Sequence, residues 1–198
     1  MSSPLSDHKL VALLDRLHAQ SDRQIAEIDE YCIQLEKKDD FDWRVFDDDM
    51  HRFFADKMVA LDRDKAEFCY QLCRALGASR VVEAGTSFGV STLYLAAAVR
   101  DNRVEDGLVI ATEWDPGKAA IARRNFSEAG LSEFVDLREG DLRQTLRGLE
   151  GGIDFMLVDI WEVAKPALKL VSPYLLTGAV VVCGNTTVDR GEYDDYFE

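Results

Sequence analysis

The run Glu83-Ala84-Gly85-Thr86-Ser87-Phe88-Gly89-Val90-Ser91 carries an acid two residues before a glycine, a second glycine four further on, and hydroxyl side chains between. A glycine at such a turn lets the backbone approach a ligand closely. The helix that follows offers it unpaired N–H groups and a partial positive charge. The form is E-x-G-x-x-x-G, not the G-x-G-x-x-G of dinucleotide binders, and a glycine turn alone also serves as a plain tight connection. A second acid therefore matters. Glu113 ends an apolar run in Ala111-Thr112-Glu113-Trp114-Asp115-Pro116, where a carboxylate can accept both hydroxyls of a ribose. Helix capping at that point falls to Asp115, with Pro116 as the first helical residue. Glu139-Gly140-Asp141 closes a third run. Asp141 suits either the amino group of a base or the cap of the helix behind it. Asp159 closes a fourth.

These groups need elements that bring them to one edge. Short apolar runs at Arg80 to Ala84, Leu108 to Thr112, Phe134 to Leu137, Ile153 to Val158 and Ala179 to Cys183 predict buried parallel strands. Helical stretches lie between them at Ser91 to Val99, Lys118 to Ala129, Leu142 to Leu146 and Val163 to Tyr174. Repeated βα units of this kind give an α/β, doubly wound, mainly parallel Rossmann-like sheet, with ligands at the carboxyl ends of the strands. Ahead of the sheet, Leu10, Leu13, Leu14, Leu17, Ile25, Ile28, Cys32 and Leu35 form a helical stripe. The acidic stretch Asp39 to Asp49 reads as a loop with inserted aromatics, and a short helix is expected from Met50 to Val59. Asp62 is expected to cap a helix that runs to Leu76 and closes at Gly77. Residues 1–60 are thus an N-terminal helical segment and 61–198 the ligand-binding domain.

Composition excludes several classes. The chain has 198 residues, 47% hydrophobic and 30% charged, with 23 Lys and Arg against 37 Asp and Glu, a net charge of −14. One soluble domain accounts for that length. No run reaches the roughly 18 apolar residues of a membrane helix. The start lacks the basic and continuous apolar regions of a secretory signal, so the cytoplasm is expected. A nucleic acid would meet net repulsion, and no basic patch offsets it. Cys32, Cys69, Cys73 and Cys183 show no paired spacing for a metal, and Cys69 and Cys73 read as core thiols.

Taken together, VVEAGTSFGVSTLYLA, VIATEWDPGKAAIARRNFSEAGL, VDLREGDLRQTL and IDFMLVDIWEVAKPALKLVSPYLLTGAVVVCGNT resemble, in order and spacing, the S-adenosylmethionine-dependent O-methyltransferases of the catechol and caffeoyl-CoA type. The resemblance covers about residues 55 to 198 and implies a class I methyltransferase that moves a methyl group to a phenolic or catechol oxygen. It implies that Glu83, Gly85, Thr86, Ser87 and Ser91, helped by the backbone near Leu61, hold the methionine part and ribose. Glu113 would take the ribose hydroxyls. Trp114 would line the adenine pocket, and Gly140 and Asp141 would contact adenine. Asp159 would face the methyl group and a magnesium ion, and Trp161 would sit beside the acceptor ring unless it simply packs in the core.

The chain departs from the family pattern in places. Asp159 and Asn185 stand at two metal-ligand positions, but Gly184 occupies that of the second Asp. Glu162 stands where the family has a Lys base, leaving Lys165, one turn on, as the substitute. The family's final antiparallel strands are not expected, which would leave the fifth strand as an edge and favours a homodimer. Two other readings stay open: methylation of a tRNA hydroxyl by the same fold, and a cofactor-binding protein that has lost catalysis.

Overall fold

The computed structural model describes residues 5–39, 41–43, 45–160, 163–184, 186 and 194–197, with the backbone alone for 194 and 195. Trp161, Glu162 and Asn185 lie outside the described residues. Three helices, α1 (His8–Glu36), α2 (Asp48–Phe54) and α3 (Arg63–Leu76), precede the sheet. Strands β1 (Arg80–Ala84), β2 (Leu108–Glu113), β3 (Val135–Glu139), β4 (Ile153–Val158) and β5 (Leu175–Cys183) alternate with α4 (Val90–Asn102), α5 (Pro116–Ala129), α6 (Leu142–Thr145) and α7 (Ala164–Val171), and α8 (Asp194–Phe197) follows. All described pairings are parallel, in the order β3-β2-β1-β4-β5. This is the expected doubly wound α/β fold. The order reverses at β1, where such a sheet opens a crevice beyond the strand ends.

Side chains of period two explain both faces of the sheet. Val81, Val109, Ala111, Phe155 and Leu157 pack with residues of α1, α3, α4 and α5, while Val82, Ala84, Ile110, Met156 and Val158 pack with residues of α6 and α7. From Val90 to Val99 every residue of α4 is buried, so this helix has no solvent face there. Leu10, Leu13, Leu14 and Leu17 of α1 join the first core, and each such burial is worth about 1.5–3 kcal/mol. The far half of α1 instead carries a satellite core: Leu35, Met50 and Phe54, surrounded by residues including Tyr31, Trp43, Phe46 and Phe53. No described helix is long and apolar enough to cross a membrane.

Several local expectations change. Only the inner strands are buried throughout most of their length. The edges β3 and β5 are half-buried, and β5 begins four residues early because Leu176 to Gly178 extend it along solvent. The second helix stops at Phe54, short of Val59. Asp62 precedes α3 without capping it through its side chain; its carboxylate pairs instead with Lys65 at 2.6 Å. The last connecting helix ends at Val171 and tightens into a 3-10 turn, Ser172–Tyr174, where Pro173 removes a backbone donor. Cys69 and Cys73 are buried free thiols, as expected, and burial pushes Cys69 up to about 12.

Candidate functional site

At the carboxyl ends of the strands lies a cavity of about 420 Å³, of the size that takes small ligands and cofactors. Its floor is built by hydrogen bonds that carry the strand ladder into the loops. Thr86 N donates to Thr112 O (2.9 Å), Gly140 N to Glu113 O (2.8 Å), Asp159 N to Ala84 O (2.9 Å) and Gly184 N to Val158 O (2.9 Å). The ends of β2, β1 and β4 thereby stand side by side. Gly85 is required at their meeting point. Its φ is +97°, and a Cβ there would lie 2.3 Å from the Asp159 carbonyl oxygen. Ser87 is a non-glycine residue at φ +50°, and it is held there by its N–H donating to Glu113 Oε2 at 2.6 Å.

Glu113 is held by backbone donors on both of its oxygens. Its other oxygen accepts from Asp115 N at 2.8 Å, while Asp115 caps α5 through Lys118 N at 2.9 Å. Burial raises its pKa, opposed by those N–H groups and by the Lys118 ammonium. Lys118 itself is desolvated, which lowers its pKa against the pull of Glu113, Asp115 and Asp56, and its Nζ lies 5.7 Å from the centre of the Phe88 ring. Asp159, just past the end of β4, is half-buried. Burial pushes it up to about 6, eased by the charge of Lys65 and aggravated by Asp62.

The structure brings Leu61, Gly85, Thr86, Ser87, Ser91, Glu113, Trp114, Gly140, Asp141 and Asp159 onto this one cavity. Asp141 takes its capping role, accepting from Arg143 N at 2.9 Å, and it also pairs with the Arg143 guanidinium at 2.7 Å. Glu83 does not line the cavity. It stands wholly buried behind the glycine loop, where one carboxylate oxygen accepts from the hydroxyls of Thr86 (3.0 Å) and Thr92. Burial pushes it up to about 7, the hydroxyls of Thr92, Ser91 and Thr86 working the other way. Lys165, in the first turn of α7, is off the cavity wall.

Sequence inspection missed a second wall. Phe46, His51, Phe54 and Met58, from α2 and its flanks, together with Lys118 and Arg143, also line the cavity. The His51 ring lies 4.9 Å from that of Trp114, tilted by 37°. The aromatic density of residues 41 to 54 was the available signal.

A nucleoside-bearing cofactor fits these residues: a held carboxylate, an indole and the loop N–H groups at the start of α4 share one cavity. Of the two metal-ligand positions read from the sequence, Asp159 lines this cavity and Asn185 lies outside the described residues. Among the described residues no three metal-ligating side chains cluster, and Asp159 faces the bare backbone of Gly184, where a Cβ would lie 2.7 Å from its Oδ1.

The family model described as a methyltransferase domain matches residues 82–186. Catechol O-methyltransferases of Niastella koreensis and Mycobacterium tuberculosis are 29% and 33% identical to the chain, each over 69% of it, and the chain spans 62% and 63% of their lengths. The solved structure of the O-methyltransferase TomG from Streptomyces achromogenes, in complex with SAM, is 25% identical with a TM-score of 0.60, covering 72% of this chain and 69% of that one. With the glycine loop, the acid after the second strand and the sheet order all in agreement, the chain belongs to the methyltransferase-domain family.

Proposed function

We propose that the chain binds S-adenosylmethionine in this cavity and directs its methyl group to a hydroxyl of a small aromatic acceptor. The observation that carries the reading is that Glu113 and Asp159, on the strands flanking β1, open into one cavity with the Gly85 loop between them. Glu113 would hold the ribose hydroxyls, Trp114 and the backbone at Gly140 would flank the adenine, and the loop from Gly85 to Ser87 would meet the methionine part. The bound cofactor supplies a methyl already activated on a sulfonium, so the protein's task is alignment and removal of the hydroxyl proton. Asp159 is the described acid at that end, placed to accept the hydroxyl's hydrogen bond. Met58, Leu61, Ile160 and Val163 line the cavity as well, an apolar surround that suits a flat ring.

Calorimetry with S-adenosylmethionine and with NAD tests the cofactor, and tight NAD binding without S-adenosylmethionine binding would overturn the reading. Methyl transfer to a panel of phenols and catechols, in EDTA and in magnesium, tests the chemistry. Gly184 in place of a carboxylate favours a second reading, a cofactor-binding protein without turnover. Intact S-adenosylhomocysteine binding with an inert panel would select it. The net charge of −14 weighs against a tRNA acceptor. The half-exposed edge strand β5 supports a homodimer, which sedimentation checks.

A further inference from the structure

The two walls of the cavity meet in a run of aromatic rings. Trp114, after β2, contacts His51 of α2. The His51 ring lies 5.4 Å from that of Phe46, Phe46 lies 5.6 Å from Phe54, Phe54 lies 5.1 Å from Phe53, and Phe53 stacks on Tyr31 of α1 at 3.6 Å. The helix that carries His51 is anchored away from the sheet. Met50 and Phe54, four residues apart and therefore on one face of α2, are buried in the satellite core with Leu35 of α1. Asp47 caps the helix by accepting from Met50 N at 2.8 Å. With that face committed, His51 falls on the flank that reaches the cavity.

Trp114 needs such a partner. Its side chain is 60% exposed on a loop, so its ring is free to change rotamer unless something packs against it. We infer that His51 is a positioning residue for the cofactor: by packing its ring against Trp114 it holds the indole as the wall against the adenosine part, and so makes cofactor affinity depend on the N-terminal helices. This rests on the S-adenosylmethionine reading above. The contact required is ring on ring, and a phenylalanine can supply it.

The test is the affinity of the full chain for S-adenosylhomocysteine, measured by calorimetry for the wild type and for His51→Ala, His51→Phe and Trp114→Ala. His51→Ala is expected to raise Kd about three- to tenfold, the scale of one aromatic pair, and His51→Phe to restore it. Trp114→Ala is expected to weaken binding at least as much as His51→Ala. A His51→Ala protein that binds like the wild type while Trp114→Ala loses affinity would overturn the inference alone. So would a His51→Phe protein no better than His51→Ala, since a change in folding or charge would then explain the loss. A wild type that does not bind S-adenosylhomocysteine would overturn the cofactor reading, and the inference with it.

Discussion

Glu113 and Asp159 end strands on either side of β1 and are both half-buried carboxylates, yet they are held differently. Glu113 accepts two backbone N–H bonds and feels the charge of the half-buried Lys118, so its position is set before any ligand arrives. Asp159 has its backbone tied to Ala84, while its carboxylate rests against the bare Gly184 and feels only the more distant charges of Lys65 and Asp62. One end of the cavity is pre-organised and the other is left room to adjust. A site built in this way draws affinity from the end common to every turnover and leaves selectivity to the end where acceptors differ.

The strongest way to break this contrast is at the residue both ends share. Gly85→Ala puts a methyl group onto the Asp159 carbonyl at a backbone angle alanine resists, and it should lower unfolding stability by about 3 kcal/mol or more in urea titrations. A change below 1 kcal/mol would mean that the two strand ends are less tightly joined than their hydrogen bonds suggest. Next, Glu113→Ala leaves the Ser87 and Asp115 N–H groups unpaired along with the ligand's hydroxyls. S-adenosylhomocysteine binding should weaken by about 2 kcal/mol, roughly thirtyfold.

A smaller effect tests what the pre-organised end costs. Glu83 braces the glycine loop from behind and titrates near 7 in the folded chain against 4.5 as a free side chain. The folded state thus holds this proton more firmly than the unfolded state. The stabilisation is complete below pH 4.5 and is lost as pH rises through about 7. Between pH 6 and 8 the wild type should lose about 1–2 kcal/mol relative to Glu83→Gln, whose amide does not titrate. Parallel stability curves for the two proteins would remove Glu83 from the account. The smallest effect belongs to the looser end. Asp159→Asn should change S-adenosylhomocysteine affinity by only about threefold while reducing methyl transfer far more, and a loss of affinity matching that of Glu113→Ala would erase the contrast.

The wall built from the strand ends was legible in the sequence and the aromatic wall facing it was not. Gly85, Glu113, Asp141 and Asp159 each sit within a few residues of an apolar run, so type and spacing alone mark them. His51, Phe46 and Phe54 are made useful by contacts to Tyr31 and Trp114, far away in the chain, and the surrounding aspartates disguise the stretch as a solvated loop. Lys118 was hidden by position, since a lysine in the first turn of a helix ordinarily faces water. The early start of β5 escaped notice because an edge strand with Thr177 and Gly178 does not show the apolar signature of a buried one. Asp62 has the right residue type for a cap, but Lys65 offers its carboxylate a competing partner.

The helix α4, without a watery face from Val90 to Val99, has a consequence for how the molecule breathes. Its amides have no local route to solvent by fraying of an outer surface, so their hydrogen exchange should proceed through global unfolding, the slowest route in the protein. The far half of α1, mostly solvent-facing and held by the satellite core, should exchange through partial opening on a much shorter timescale. The glycine loop is therefore mounted on the last part of the chain to open, and the aromatic wall facing it on one of the first. Ligand entry and departure would follow the clock of the N-terminal helices while the loop end of the cavity keeps its shape.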